Sequence, residues 1–115
     1  MTRVIIGCAF EVYNKLGPDY PEKIYQKALE KKFDSKKIPY NKENYCKVEL
    51  DGAIVGSFRL DFLIEDKVVV ELKVRDEFLS KDAAQVITYL KVNKIKVGLV
   101  ILFTSSTVKI KRLVY

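Results

Sequence analysis

The 115-residue sequence predicts an α/β (α+β) fold on the basis of three patterns. Hydrophobic residues recur at three- and four-residue spacing before residue 38 and again over residues 80–93, which is typical of helices. From residue 45 to residue 74 the period is two, which indicates strands. The apolar run at residues 96–103 is typical of a strand buried on both faces. The predicted order is therefore two helices, three strands, a helix and two strands.

The first two helices are predicted from caps, breakers and apolar faces. Thr2 can cap the first helix, which should end before Gly17. Pro21 fits the first turn of the second helix, which should end near Lys37. The expected buried faces consist of Ile5, Cys8, Val12 and Leu16 in the first helix and of Tyr25, Leu29 and Phe33 in the second.

Three antiparallel strands are predicted between Tyr45 and Val74, separated by the turn signals DGA and EDK. Ser80 can cap a third helix that runs to about Asn93. The segment KVGLVILF should then form the buried strand, and TVKIKRLVY alternates as an edge strand does. The apolar face of the third helix should contain Ala83, Ile87 and Leu90.

Length and composition indicate one domain over residues 1–115 with a core of its own. Hydrophobic residues make up 49% of the chain and charged residues 31%, which argues against disorder. The formal charge of +6 makes a polyanion a plausible partner, although surfaces that bind nothing are also often basic. No segment approaches the length of apolar sequence that spans a bilayer, and no signal-peptide pattern is present, so an intracellular, cytoplasmic protein is expected.

Histidine is absent from the sequence, and the two cysteines show no metal-ligand spacing. The absence of histidine excludes histidine-based zinc sites and Ser-His-Asp or Cys-His catalysis. Any catalysis must therefore use carboxylates, lysine, tyrosine or hydroxyl groups. Cys8 and Cys46 are expected to be buried and reduced.

Charged residues alternate with apolar ones in the segment RLDFLIEDKVVVELK, residues 59–73. Because side chains alternate across a strand, Leu60, Phe62 and Ile64 are expected on one face and Asp61 on the other. A three-residue loop at residues 65–67 keeps the apolar faces of the two strands matched, since a shift of one residue would turn every side chain over. The predicted register pairs Ile64 with Val68, Phe62 with Val70, Leu60 with Leu72 and Asp61 with Glu71.

This register places two carboxylates opposite each other on neighbouring strands. Like charges at that position are destabilising unless something offsets them, and a divalent cation such as Mg²⁺ prefers oxygen ligands of this kind. Lys73 lies two residues beyond Glu71 on the same face and can add positive charge there. The alternative is a solvated face of the sheet, on which Lys73 only neutralises a carboxylate.

These residues resemble the signature of the PD-(D/E)xK nuclease superfamily, and the whole chain resembles the GxxExxY family within it. The resemblance extends over VIIGCAFEVYNKLGPDYPEKIYQKAL, RLDFLIEDKVVVELK, QVITYLK and VGLVILF. It implies a restriction-endonuclease-like αβββαβ core with a central mixed sheet flanked by helices. It also implies that Asp61 and Glu71 bind the metal, that Lys73 assists, and that the Leu72 carbonyl is a further metal ligand.

Four further residues correspond to family positions. The resemblance implies that Glu22 reaches the metal site, although Asp19 and Glu22 can instead form a capping box. Tyr25 matches the motif tyrosine, but its place in an apolar stripe favours core packing. Gln85 and Tyr89 match a QxxxY pattern that would orient phosphate or the acidic groups, although an amphipathic helix can carry such a pair without a catalytic role. One departure is Asp19, which stands where the family motif has glycine.

The resemblance implies a nuclease that cleaves phosphodiester bonds, most plausibly in DNA, with Mg²⁺ or Mn²⁺ as cofactor. Four lysines are candidates for contacts with flanking phosphates: Lys23, Lys27, Lys91 and Lys94. One alternative is a nucleic-acid-binding module that keeps the fold without turnover, and another is a junction-resolving nuclease that acts as a homodimer. A third is a structural subunit that pairs through its last strand.

Overall fold

A computed structural model describes all residues, 1–115, and contains three helices and five strands. The elements follow the predicted order. The helices are α1 (Thr2–Leu16), α2 (Glu22–Ser35) and α3 (Ser80–Asn93), and the strands are β1 (Tyr40–Leu50), β2 (Ala53–Ile64), β3 (Val68–Val74), β4 (Val97–Phe103) and β5 (Val108–Val114).

The five strands form one mixed sheet in the order β1-β2-β3-β4-β5. Strands β1, β2 and β3 are antiparallel to one another, β4 is parallel to β3, and β5 returns antiparallel to β4. The parallel step requires a crossover, which α3 supplies. This arrangement confirms the α+β fold and is consistent with the restriction-endonuclease-like fold.

Helices cover both faces of the sheet. One buried cluster joins α1 and α2 to Phe62, Ile64, Val70 and the alternate residues of β4, while the second joins α3 to Leu60, Val69, Val100 and Leu102. Cys8 lies in the first cluster and Cys46 in the second, and both are buried free thiols, as expected. The sheet separates the two thiols.

Gly98 sets the distance between α3 and the sheet. A Cβ atom at this position would lie 2.4 Å from Cγ1 of Val86 on α3 and 3.0 Å from Cγ1 of Val69 on β3. Both neighbours are β-branched and have little rotamer freedom. A residue without a side chain at position 98 therefore lets α3 pack against the middle of the sheet.

The helix caps differ from the predictions. Met1 is the N-cap of α1, Pro21 that of α2 and Leu79 that of α3, so neither Thr2 nor Ser80 has the capping role expected of it. At α3 the Asp82 carboxylate, inside the first turn, accepts a hydrogen bond from the Leu79 N–H. This bond satisfies the backbone N–H of the N-cap residue, which is the half of a capping box that the third helical residue supplies.

The apolar face of α3 also differs in detail from the prediction. Its buried apolar residues are Val86, Tyr89 and Leu90, whereas Ala83 and Ile87 are only half-buried at the edge of that face. The helix is therefore rotated so that Val86 points at Gly98.

Strand β1 begins at Tyr40, five residues before the predicted start of the strands at Tyr45. Tyr40 pairs with Ile64 and packs edge-on against Phe62, so tertiary contacts extend the strand into the polar stretch NKEN. None of the three helices is both long and apolar enough to span a lipid bilayer.

Candidate metal centre

The hairpin of β2 and β3 places Asp61 where the two strands stop pairing. Ile64 pairs with Val68 and Phe62 with Val70 across the loop at residues 65–67, as predicted, and the register ends there. The expected pairs Leu60–Leu72 and Asp61–Glu71 are not formed. Instead the backbone N–H of Leu72 donates to Oδ2 of Asp61 at 2.8 Å. The Asp61 carboxylate therefore lies between the two strands.

The alternation of β2 changes at Asp61, which explains why the expected register fails. Phe62 packs against α1 and α2, whereas Leu60 packs on the α3 side with Cys46, so the predicted common face of Leu60 and Phe62 is wrong. On β1, Glu43 lies at the same level, between the pairs formed by Lys42 and Asn44, and has a φ of 54°. A left-handed residue within a strand locally disrupts the ladder and re-aims side chains.

Asp61 and Glu71 are brought together in a nearly dry environment. Each is only 4% exposed. Burial, then a hydrogen bond that the protonated Glu71 carboxyl group donates to Asp61, then the charge of Asp61 raise the pKa of Glu71 to about 9. Nζ of Lys73 lies 3.5 Å from Oε2 of Glu71 and gives partial compensation. The pair is therefore not a solvated face of the sheet, which was the alternative interpretation of these residues.

Glu22 approaches this pair from α2. It is the first residue of that helix, where the helix dipole favours a negative charge. Partial burial, followed by the charge of Asp61, raises the pKa of Glu22, while Lys73, Arg59 and Arg75 act in the opposite direction. The capping-box alternative is wrong, because the N-cap is Pro21 and no side-chain hydrogen bond caps the helix. Asp19 precedes the helix with a φ of 72°.

Tyr25 lies in the core and shapes the turn before α2. Its ring is fully buried and stacks on Phe103 with a centroid separation of 4.2 Å. The hydroxyl donates to the Gly17 carbonyl at 2.6 Å and accepts a hydrogen bond from the Tyr20 N–H. Tyr25 therefore positions the start of α2, and with it Glu22, by packing.

The structure does not place Gln85 and Tyr89 in contact with the carboxylates. Tyr89 is buried in the α3-side cluster, and its pKa is raised by burial, then by Cys46 and Asp66. Gln85, one turn earlier, is half-buried and forms no side-chain hydrogen bond. The electrostatic surroundings of Tyr89 thus include neither Asp61 nor Glu71.

The four candidate lysines lie at two different places. Lys23 and Lys27 are exposed on α2, in the two turns that begin at Glu22. Lys94 ends α3, and Lys91 lies over the ring of Tyr115 at 5.7 Å. These two are at the end of α3 that borders the loop at residues 65–67, about 20 Å along the helix from Ser80. Only Lys23 and Lys27 lie on the helix that carries Glu22.

Two residues that sequence reasoning missed lie beside the site. Arg75 continues the alternate positions of Glu71 and Lys73 on β3, and its guanidinium forms an ion pair with Asp82 in the first turn of α3. The Asp82 side chain is almost completely buried. The alternation that placed Lys73 on the same face as Glu71 also places Arg75 there. Nothing in the sequence indicated Asp82 as the partner of Arg75.

The donor set fits a hard divalent cation. Asp61 and Glu71 are buried carboxyl groups, and one ammonium group, that of Lys73, lies beside Glu71, so their fully ionised form carries uncompensated negative charge. Only these two acids converge closely, since no group of three or more acidic or cysteine side chains has the spacing of a metal site. Further ligands would have to be main-chain carbonyls, water or substrate, as is common for Mg²⁺.

Comparison with known proteins gives similar solved structures and one family. The crystal structure of SSO0001 is similar, with a TM-score of 0.64 and 18% sequence identity over 80% of this chain and 48% of that chain. The chain thus spans about half the length of that protein, and the likeness concerns the fold. No protein of curated function matches the sequence significantly. The family model described as the PD-(D/E)XK nuclease superfamily matches residues 1–113, so the chain belongs to this superfamily.

Proposed function

We propose that this protein is a metal-dependent nuclease that hydrolyses phosphodiester bonds, most plausibly in DNA. The observation that carries the proposal is the buried pair of Asp61 and Glu71 beside Lys73, at the point where β2 and β3 separate. Membership of the superfamily supports the same chemistry. We also propose that the chain lies in the GxxExxY group, forms one domain and acts in the cytoplasm.

The metal-binding role belongs to Asp61 and Glu71 in this proposal. The β2–β3 register pairs Leu72 with no residue of β2, which supports its carbonyl as a further ligand. A bound Mg²⁺ or Mn²⁺ would supply Lewis-acid assistance to phosphoryl transfer. Its charge would also favour the ionised form of Glu71, which burial otherwise disfavours.

The remaining residues act on the substrate or on the acids. The Lys73 ammonium stabilises negative charge that develops on the phosphate. Glu22 orients water or metal from the start of α2, and Lys23 and Lys27 bind flanking phosphates from the same helix. For Gln85 and Tyr89 to orient the acids, they would need contacts with Asp61 or Glu71 beyond those described above. Lys91 and Lys94 would bind phosphate only on a substrate long enough to reach the end of α3.

A cleavage panel tests the function. Single-stranded, duplex and branched DNA, with matching RNA, are incubated with the protein in Mg²⁺, in Mn²⁺ and in EDTA. We expect cleavage of at least one substrate only when metal is present, and loss of cleavage in Glu71→Ala and Lys73→Ala. Binding is measured in parallel. Metal-independent binding without any cleavage would support the non-catalytic binding module instead.

A further inference from the structure

The hairpin of β1 and β2 extends beyond the rest of the sheet. Residues 47–57, the hairpin arm, are all exposed, because β3 pairs with β2 only at Phe62, Leu63 and Ile64. A type I′ turn at Asp51 and Gly52, with φ values of 51° and 81°, closes the arm. A two-stranded ribbon without a covering layer is marginally stable in water. The hairpin arm therefore needs a further contact to be stable.

The side chains of the arm are unusually apolar for a solvated hairpin. Leu50 is 62% exposed, Val55 62% and Ile54 58%, and Val48 is also exposed. Tyr45, where the arm meets the body of the sheet, is 64% exposed. Apolar residues clustered in this way mark an interaction surface more often than a free one.

The outer edge of β1 is open and borders a groove. β1 is a terminal strand of the sheet, with eleven residues. The groove has a volume of about 500 Å³ and is lined by Tyr45, Cys46, Lys47 and Glu49 of β1 and by Val92 and Asn93 of α3. The groove therefore lies along a terminal strand that has no strand partner on its outer side.

The opposite edge of the sheet is shorter than β1 and all its charged residues are cations, whereas β1 carries charges of both signs. Strand β5 has seven residues and carries Lys109, Lys111 and Arg112. Short length and positive charge are the usual means by which an edge strand avoids pairing. β1 is therefore the longer and less cationic edge, and the register shift beside Val48 leaves its extra residue, Val55, on β2.

Charge argues against nucleic acid as the occupant of this groove. The hairpin arm carries one cation, Lys47, and two anions, Glu49 and Asp51, so its net charge is −1 in a chain of net charge +6. A phosphate backbone binds where lysine and arginine are concentrated. The cations of this chain lie elsewhere.

Charge also favours a second copy of the chain. In an antiparallel pair of β1 strands related by a two-fold axis at Val48, Lys47 of each copy faces Glu49 of the other. Opposite charges in directly facing positions stabilise a strand pair, and symmetry provides two such pairs. The same register places Leu50 opposite Cys46 of the second copy.

We propose that the β1 edge and the hairpin arm form a homodimer interface in which two β1 strands pair antiparallel about Val48, giving a continuous ten-stranded sheet. The interface goes beyond the nuclease proposal and does not depend on it. No residue of the candidate metal centre takes part.

Charge reversal tests this interface. The association constant of the full-length protein is measured by sedimentation equilibrium for the wild type, Lys47→Glu, Glu49→Lys and the double variant. We expect a wild-type dimer, at least about tenfold weaker association in each single variant, and recovery in the double variant, where opposite charges face each other again. Lys31→Glu on α2 makes the same charge change on an exposed position outside the interface and should leave association unchanged.

Circular dichroism and thermal unfolding confirm that each variant is folded, and recovery in the double variant excludes a simple loss of structure. A wild type that stays monomeric at high concentration would overturn the interface, as would single variants that dimerise normally. Binding of the wild type to lipid vesicles or to duplex DNA that the single variants lose, without a dimer, would assign the arm to another partner and would equally overturn it.

Discussion

Glu71 connects stability with function at the level of single residues. Its carboxyl group is buried beside a second carboxyl group, and the structure raises its pKa from an ordinary 4.5 to about 9. Such an environment disfavours the charged form that a metal ligand must have. In the proposed site a bound cation would reverse this preference, so Glu71 would be costly without metal and stabilising with it.

The raised pKa predicts how stability depends on pH in the metal-free protein. The folded state holds a proton on Glu71 between pH 4.5 and about pH 9, where the unfolded chain has released it. The contribution of Glu71 to the free energy of unfolding is thus fully present below pH 4.5 and is lost as pH rises towards 9. Glu71→Gln removes this dependence and should be the more stable protein at pH 8.

Urea denaturation of both proteins in EDTA, at several pH values, measures this difference. The difference between wild type and Glu71→Gln isolates the one carboxyl group from the other titrating residues. Addition of Mn²⁺ at pH 8 should stabilise the wild type and leave Glu71→Gln unchanged. Equal pH dependence in the two proteins would show that Glu71 is not held in its neutral form.

Lys73 should separate metal binding from turnover. Nζ of Lys73 is close to Glu71 but cannot ligate a cation while it carries a proton. Lys73→Met should therefore keep Mn²⁺ binding and reduce the single-turnover cleavage rate by roughly 100-fold, the scale of losing one donor that stabilises transition-state charge. Lys67→Met, in the exposed β2–β3 loop, is the control. Unchanged cleavage in Lys73→Met would remove Lys73 from the mechanism.

At the level of elements, close packing fixes α3 against the sheet. Because a Cβ at position 98 would overlap Val86, Gly98→Ala should lower the free energy of unfolding by about 2 kcal/mol. Gly56→Ala is the matched control, since nothing lies within 4 Å of the added methyl group. Chemical denaturation measures both variants. The double variant Gly98→Ala, Val86→Ala should recover part of the loss, and a neutral Gly98→Ala would contradict the close contact.

The ion pair of Arg75 with Asp82 links the end of β3 to the start of α3. Arg75→Met would leave the Asp82 carboxylate buried without a positive counter-charge, which should cost about 3 kcal/mol. Asp82→Asn in the same chain should restore part of this loss, because the unpaired charge is then absent. Denaturation curves of the wild type, Arg75→Met and the double variant measure these differences. An Arg75→Met protein as stable as the wild type would indicate that the pair contributes no more than a surface contact.

Sequence patterns predicted the elements because each pattern depends on local periodicity. The three-residue loop at residues 65–67 and the pairs Ile64–Val68 and Phe62–Val70 follow from matching apolar faces, and the structure contains all of them. Alternation failed at Leu60, where β2 changes face opposite the left-handed Glu43. A tertiary irregularity of this kind leaves no trace in the period of two.

In the candidate site, too, the features that follow from local periodicity were predicted and those that depend on tertiary packing were not. Alternation along the strands and the resemblance to the superfamily signature indicated Asp61, Glu71 and Lys73 as neighbours. The structure brings them together, even though the β2–β3 register differs from the predicted one. The distance of Lys91 and Lys94 from Glu71 depends on the direction in which α3 crosses the sheet. The partnership of Arg75 with Asp82 depends on the same packing, so neither could be read from residue types.

On the scale of the whole molecule, the fold brings four elements to one point. Strands β2 and β3 separate after Phe62 and Val70 and hold the two acids, while α2 begins with Glu22 on one side and α3 begins near Asp82 on the other. Lys23 and Lys27 lie in the turns of α2 that follow Glu22, and the near-neutral hairpin arm extends beyond the rest of the sheet. Substrate binding and self-association can therefore use separate surfaces.

The central claim is that Asp61 and Glu71 together hold one divalent cation beside Lys73. Anomalous diffraction from crystals soaked in Mn²⁺ tests it most directly, with an Asp61→Asn crystal as the control. We expect a single anomalous peak that bridges the two carboxylates in the wild type and no peak there in the variant. A wild-type map without a peak between these carboxylates, in crystals that bind Mn²⁺ elsewhere, would contradict the claim.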